Sequence, residues 1–286
     1  MIRLGTLIHE KFMNTRPGSL LRRYYRYYMM PSAVRRGYGN NLQWLDVAFP
    51  HGKHELENND FQIFFNNHKQ GNGIWKWYHY LDIYDRHFCK FREQEVNVLE
   101  IGIHSGGSLE MWKKYFGTKA NIYGVDINAA CRTYETDRIK VFIGDQKDRP
   151  FWRDVKQKIP ALDIVIDDGG HGFDQQVVSL EELLPFLRPG GVYLCEDVQG
   201  AFNRFASYVH GMGHKLNDYA LMREFPEDNE RRIVCGCTSF QSAIGSIHLY
   251  PFVTVLERNK LNVTELRSPK RGTQWQPFLQ GSLPRL

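Results

Sequence analysis

The stretch that decides the fold is Val98-Leu99-Glu100-Ile101-Gly102-Ile103-His104-Ser105-Gly106-Gly107-Ser108-Leu109. An apolar run breaks into glycines and then into a helical pattern, which is typical of a buried parallel strand that turns sharply into a helix. Glycine at such a turn tolerates unusual backbone angles and lets a ligand approach the main chain. The free N–H groups of the following helix point at that ligand. Alone, the stretch fits either a cofactor loop or a tight turn without a ligand.

From residue 96 onward, strand and helix patterns alternate. The predicted strands are Val96–Ile101, Asn121–Asp126, Ile139–Ile143, Leu162–Ile166 and Gly191–Cys195, with a closing pair at residues 246–250 and Phe252–Arg258. Helical patterns lie between them, and residues 210–214 are predicted to form a loop. Apolar strands separated by helices predict an α/β fold with a doubly wound, mostly parallel sheet.

Length and composition predict one α/β domain with extra elements at its ends. The 286 residues divide into a helical and irregular arm over 1–73, a main domain over 74–260 and an extension over 261–286. No apolar run is long enough to span a bilayer, and no secretory signal is recognised. The five cysteines lack metal-ligand spacing, so free thiols in the cytoplasm are expected.

The net charge of +5 is concentrated near the N-terminus, where the stretch Arg22–Tyr28 interleaves arginines with tyrosines. Such a pattern could stack on nucleic-acid bases. The alternative is a solvated helix or one that faces another subunit, and it is favoured because the rest of the chain carries no RNA-binding motif. The arm is therefore a candidate lid, or a candidate contact in a homo-oligomer such as a dimer or tetramer.

Acidic residues collect where the predicted strands end, and ligands of open parallel sheets bind beyond those ends. Asp126 closes the second strand, where a carboxylate can accept hydrogen bonds from both ribose hydroxyls of an adenosine-like ligand. Asp145 closes the third strand and is placed to accept from an adenine amine. No lysine follows the glycines, so the turn is not a phosphate-binding P-loop.

A second acidic group follows the fourth and fifth strands. Asp168, Glu196 and Asp197 provide the oxygen ligands that Mg²⁺ or another divalent cation prefers. His171 comes just after the Asp pair and is a candidate general base, because histidine titrates near neutral pH. The alternative is that these residues cap a helix and a loop.

Five motifs in order resemble the class I S-adenosylmethionine (SAM)-dependent methyltransferases. They are residues 98–109, 124–127, 144–146, 163–171 and 187–197. The resemblance is greatest to metal-dependent sugar O-methyltransferases of the macrolide type and to their cephalosporin-hydroxylase-like relatives, and it covers about residues 74–258. It implies a Rossmann-like sheet of seven strands with an antiparallel closing strand, SAM as cofactor, and Mg²⁺ or another divalent cation.

The resemblance also implies roles for individual residues. Glu100, Gly102 and Gly106 would hold the methionine part of the cofactor, and the metal ligands would be Asp168, Glu196 and Asp197. Asp168 and His171 are the predicted catalytic residues. The predicted cofactor contacts are Glu100, Gly102, His104, Ser105, Gly106, Asp126, Ile127, Asp145, Gln146 and Asp167.

The expected function is Mg-dependent transfer of a methyl group to a hydroxyl of a sugar or of a glycosylated small molecule. One alternative is methylation of RNA or another non-sugar acceptor. Another is an oxidoreductase, which needs iron on two histidines and a carboxylate. The acidic cluster at the strand ends contains a single histidine, His171, so the oxidoreductase is the weaker alternative.

Overall fold

A computed structural model describes residues 31–39, 59–225 and 232–272. The chain forms two compact units, Met1–Glu55 and Leu56–Leu286. In the first unit the described part is helix α1, residues 31–39. The Arg22–Tyr28 stretch lies outside the described residues, and the division into arm, main domain and extension stays a prediction.

The second unit alternates helices and strands. Its helices are α2 Asp60–Asn67, α3 Tyr78–Phe88, α4 Gly107–Phe116, α5 Arg149–Lys158, α6 Phe173–Leu183, α7 Arg204–Leu216 and α8 Ser239–Ala243. Its strands are β1 Asn97–Ile101, β2 Asn121–Asp126, β3 Ile139–Ile143, β4 Leu162–Asp167, β5 Leu187–Cys195, β6 Leu221–Phe225, β7 Arg232–Gly236, β8 Ile244–Tyr250, β9 Val253–Arg258 and β10 Glu265–Pro269. Across the described ranges, no helix has both the length and the apolar character needed to cross a membrane.

Seven strands form the main sheet, in the order β3-β2-β1-β4-β5-β9-β8. Strands β1 to β5 pair in parallel, whereas β9 runs antiparallel to both β5 and β8. The predicted fold, a doubly wound and mostly parallel sheet with an antiparallel closing strand, is confirmed. A second, antiparallel sheet in the order β10-β7-β6 was not predicted.

Successive side chains of each central strand enter two different buried layers. On β1, Val98 packs into the layer that contains Phe61 of α2 and Trp112 of α4, and Leu99 packs into the layer that contains Trp152 of α5. Both faces of the sheet are therefore covered, which explains why the strands are continuous apolar runs. Each fully buried side chain of this kind contributes about 1.5–3 kcal/mol through the hydrophobic effect.

The loop predicted at residues 210–214 is wrong, because helix α7 runs through it. Two glycines in this stretch suggested a break, and each costs about 1 kcal/mol in a helix interior. The Asn203 side chain caps the helix by accepting from the backbone N–H groups of Phe205 and Ala206, at 2.9 and 3.0 Å. Phe205 and Val209 are buried against the sheet and hold the helix in place.

The turn after β1 brings the chain into close contact with the end of β4. The Gly102 N–H donates to the Val125 carbonyl at 2.7 Å, and Gly102 has a φ of 84°. A Cβ at this position would lie 2.0 Å from the carbonyl oxygen of Asp168. Since chain order reverses between β1 and β4, this glycine lies where an open sheet binds its ligands.

We predict that Gly102→Ala destabilises the protein. The left-handed backbone alone costs about 1–2 kcal/mol with a side chain present, and the clash with the Asp168 carbonyl adds to it. Chemical unfolding would measure the loss. The matched control is Gly211→Ala in α7, where a Cβ meets nothing within 4 Å and a gain of about 0.5–1 kcal/mol is expected. Equal stability of the two variants would contradict the prediction.

Candidate active site

A cavity of about 610 Å³ opens where the parallel strands end. This volume is typical of sites for small molecules and cofactors. Most of the predicted site residues line it, namely Gly102, His104, Ser105, Asp126, Ile127, Asp145, Gln146, Asp168, His171, Glu196 and Asp197. The structure thus brings the strand-end residues together in one site.

Three predicted cofactor contacts lie behind the cavity wall. Glu100 is fully buried and accepts from the Ser108 hydroxyl at 2.7 Å. Gly106 packs so closely under the ring of Tyr134 that a Cβ would clash with it. Asp167 is fully buried and lies outside the lining residues. These positions indicate that the three residues shape the wall, and their direct contact with a cofactor stays a prediction.

Asp126 is held rigidly at the end of β2. Its two carboxylate oxygens accept from the backbone N–H groups of His104, at 3.0 Å, and Asn128, at 2.8 Å. Each oxygen keeps a lone pair that can accept a ligand hydroxyl. Ile127, which is 71% exposed, offers an apolar surface next to it. This pair fits an adenosine: hydroxyls on the carboxylate and a base against the isoleucine.

Gln146 has a positioning role in the structure. Its amide nitrogen donates to Asp167, at 3.0 Å, and to Ser179, at 3.1 Å, and its carbonyl oxygen accepts from the Gly170 N–H at 2.6 Å. Because these bonds join the ends of β3 and β4, the side chain is already occupied. Asp145 lines the cavity and accepts from the Lys147 N–H at 3.0 Å.

A buried lysine at the centre of the acidic cluster was missed by the sequence analysis. The Lys76 ammonium donates to Asp168 at 2.5 Å and to the two oxygens of Glu196 at 2.9 and 3.1 Å, and it lies 3.6 Å from Glu100. Burial lowers the pKa of Lys76, but the three carboxylates outweigh burial and hold this pKa well above its ordinary value. The ammonium therefore stays charged. The clustered acids could have indicated such a lysine, because several buried carboxylates require a nearby cation.

Tyrosines of the aromatic helix α3 hold two of the carboxylates. The Tyr84 hydroxyl donates to Glu196 at 2.6 Å, and the Tyr80 hydroxyl donates to Asp197 at 2.7 Å. Tyr80 also lines the cavity. His79 instead binds the carbonyl oxygen of Pro251 at 3.0 Å.

Asp168, His171 and Asp197 form a group of side chains that could hold a cation, although Asp168 also accepts a hydrogen bond from Lys76. Their ligand atoms lie within 4.8 Å of one another, and His171 Nε2 is 3.6 Å from an Asp197 oxygen. Glu196 lies outside this group and accepts hydrogen bonds from Lys76 and Tyr84, and its role as a metal ligand stays a prediction. Two partly exposed carboxylates suit a hard divalent cation that keeps several water ligands, and the donor set therefore fits the predicted metal.

Strained backbone coincides with this group. His104, His171 and Asp197 all adopt positive φ, at 43°, 54° and 53°. Non-glycine residues in this region are held there at a cost, and they cluster at functional sites. The strain supports a binding or catalytic role for the edge of the cavity.

Comparison with known proteins also indicates similarity to methyltransferases. No protein-family model matches the sequence. The chain is 33% identical over 205 residues to an 8-demethyl-8-alpha-L-rhamnosyl tetracenomycin-C 2'-O-methyltransferase of Streptomyces olivaceus, which covers 66% of this chain and 53% of that protein. It is 42% identical over 126 residues to the mycinamicin VI 2''-O-methyltransferase of Micromonospora griseorubida, which covers 42% of this chain and 31% of that protein.

A solved structure of the MycE methyltransferase from the mycinamycin biosynthetic pathway, in complex with Mg and SAH (S-adenosylhomocysteine), matches with a TM-score of 0.53 and 30% identity. The match covers 65% of this chain and 50% of that one. The resemblance to class I sugar O-methyltransferases is confirmed. The chain spans about half the length, or less, of these relatives.

The acids of this methyltransferase-like site make stability depend on pH. Burial raises the pKa of Glu196 to about 8, and Asp168 adds to the rise, while Lys76 and Tyr84 oppose it. Burial also raises the pKa of Asp167 to about 6. Both groups bind protons more tightly in the folded state, so their contribution to stability is present at low pH and is lost as pH rises through about 6 to 8.

We therefore predict that Glu196→Gln flattens the dependence of unfolding free energy on pH. One proton difference gives a slope of at most about 1.4 kcal/mol per pH unit, and the variant should lose part of it between about pH 6 and pH 8. Chemical unfolding of the metal-free protein across this range measures the slope. The control is Glu181→Gln. In the wild-type protein Arg149 holds the pKa of Glu181 below its ordinary value, so Glu181 does not titrate in this range and its replacement should leave the slope unchanged. An unchanged slope in Glu196→Gln would refute the prediction.

Proposed function

We propose that this protein transfers a methyl group from SAM to a hydroxyl of a sugar or glycosylated acceptor, with the help of Mg²⁺ or another divalent cation. The observation that carries the proposal is that Asp126 and the acidic residues Asp168, Glu196 and Asp197 line the same cavity. The matched relatives are sugar O-methyltransferases by name, and the matched structure holds Mg and SAH. Cytoplasmic localisation and a homo-oligomeric state stay predictions.

The turn after β1 and the end of β2 form the proposed cofactor side. Asp126 would accept both ribose hydroxyls, and the backbone from Gly102 to Ser105 would face the methionine part. Asp145 lies on the adenine side. SAM would supply an activated methyl group on a positively charged sulfur, and the leaving group would be a neutral thioether.

Charge balance supports the pairing of this cofactor with a divalent cation. Lys76 supplies one positive charge among the carboxylates of Glu100, Asp168, Glu196 and Asp197, the last of which is held by Tyr80. A divalent cation and the sulfonium would bring three more, so all four carboxylates would be compensated. Since burial makes uncompensated charge costly, this acidic site would favour binding of the divalent cation and of the sulfonium.

The chain's own residues divide the work of the reaction. Asp168 and Asp197 would hold the divalent cation. The cation would lower the pKa of the acceptor hydroxyl. His171 would take the proton that this hydroxyl loses, because it lines the cavity with Nε2 3.6 Å from Asp197, and its side chain is 39% exposed. Asp197 would stabilise the imidazolium that results.

The mouth of the cavity suits a sugar. Trp75 and Trp77 line it and are 96% and 50% exposed. Aromatic faces provide apolar area for the C–H face of a sugar ring, while the carboxylates of Asp168 and Asp197 lie within the same cavity for its hydroxyls. Trp77 also packs against the exposed ring of Phe252, with the ring centroids 5.7 Å apart, and contiguous exposed apolar surface is typical of a ligand-binding groove.

Three variants separate the proposed roles. Asp126→Ala should weaken SAH binding at least about tenfold, because two hydrogen bonds to the ribose are lost. Asp168→Asn should keep SAH affinity but lose Mn²⁺ binding and turnover. His171→Gln should keep both affinities and lose about 10²–10⁴-fold in turnover, the usual contribution of a general base.

Calorimetry measures SAH affinity, electron paramagnetic resonance measures Mn²⁺ affinity, and labelled SAM with a panel of glycosides measures turnover. Asp154→Asn, on the exposed face of α5, is the matched control and should behave as wild type. Loss of Mn²⁺ binding in His171→Gln would make this residue a metal ligand and refute the base. Full turnover of Asp168→Asn in excess chelator would refute the metal.

A further inference from the structure

A second cluster of metal-ligating side chains lies outside the cavity. It consists of His87 at the end of α3, His248 on β8 and Glu257 on β9, and their ligand atoms lie within 4.8 Å of one another. None of the three lines the cavity. The proposed methyl transfer does not use them, so their convergence calls for a separate account.

Strand register and helix packing bring the three residues together. In the β8–β9 ladder, Ser246 pairs with Glu257 and His248 pairs with Val255, so His248 and Glu257 are diagonal neighbours on one face of the sheet. His87 lies on the buried side of α3, which packs against that face. Such a cluster cannot be recognised from sequence spacing, because its members are up to 170 residues apart.

The geometry of the cluster is close to that of a metal site. His87 Nδ1 and Glu257 Oε1 are 2.9 Å apart. Two ligands at about 2.0–2.2 Å from a tetrahedral zinc ion lie about 3.3–3.6 Å from each other, so this pair would move apart by about half an ångström. The ring centroids of His87 and His248 are 4.7 Å apart, and His248 Nε2 binds the Ser246 hydroxyl at 2.9 Å. A turn of the His248 ring would complete the set.

The exposure of the cluster leaves a route for an ion from solvent. The His87 side chain is 4% exposed, whereas Glu257 is 26% exposed and His248 is only partly buried. Lys90 lies 3.5 Å from the carboxylate of Glu257, but its side chain is 34% exposed and can move into water. The site therefore has a fixed inner ligand and an open outer side, where water could complete the coordination.

We propose that His87, His248 and Glu257 bind one first-row transition-metal ion, with Zn²⁺ as the best match. Two imidazoles and one carboxylate favour such ions over Mg²⁺, which prefers oxygen. The ion would clamp the end of α3 to β8 and β9. The same helix carries Tyr80 and Tyr84, which hold carboxylates of the cavity, so the clamp would steady these hydroxyls from behind.

Cobalt titration of the untagged, metal-stripped full chain tests the proposal. Co²⁺ should give visible d–d absorption that saturates at one nitrogen-ligated site, with micromolar or tighter affinity, and Zn²⁺ should displace it. His248→Gln and Glu257→Gln should each weaken Co²⁺ binding at least about tenfold. Unfolding in chelator shows whether each variant is folded.

Two controls make the result specific. His210→Gln, an exposed histidine on α7, should bind Co²⁺ as wild type does. Asp168→Asn alters the acidic cluster and should also retain the nitrogen-ligated signal. The proposal is overturned if wild type shows no such absorption, if the signal survives both His248→Gln and Glu257→Gln, or if it disappears in Asp168→Asn.

Discussion

The buried ammonium of Lys76 is the interaction on which the rest of the site depends. It lies among Glu100, Asp168 and Glu196, and it makes direct hydrogen bonds to the last two. Carboxylates this close repel one another and resist leaving water, so they can share one sheet edge only with a cation among them. The ends of the parallel strands bring the acids together, and the lysine ammonium offsets the repulsion between their carboxylates.

The same interaction divides the carboxylates into two kinds. Glu196 is fully buried and accepts hydrogen bonds from Lys76 and Tyr84, and its role as a metal ligand stays a prediction. Asp168 and Asp197 are partly exposed to the cavity, and with His171 they form its chemically available group. A fully buried carboxylate thus lies next to two partly exposed ones, and under the proposed function the two partly exposed carboxylates would be oriented for a cation.

Much of the fold and of the strand-end acids could be predicted, because both are local patterns. An apolar run that ends in glycine or aspartate, as at Gly102 and Asp126, reveals a strand end from adjacent residues alone. Lys76 could not be placed in this way, since it precedes β1 and reaches the acids only through tertiary packing. The occupation of Glu196 and the meeting of His87 with Glu257 likewise depend on helix packing and strand register.

The free energy of unfolding of Lys76→Met, compared with wild type, tests the central role of this ammonium most directly. Removing one partner of a buried ion cluster should cost about 3–5 kcal/mol near pH 8, and less near pH 5.5, where protons on the carboxylates replace the lost cation. Lys156→Met removes a partly exposed ion pair with Glu182 and should cost at most about 1 kcal/mol. A loss in Lys76→Met no larger than in this control, or equal at the two pH values, would contradict the account.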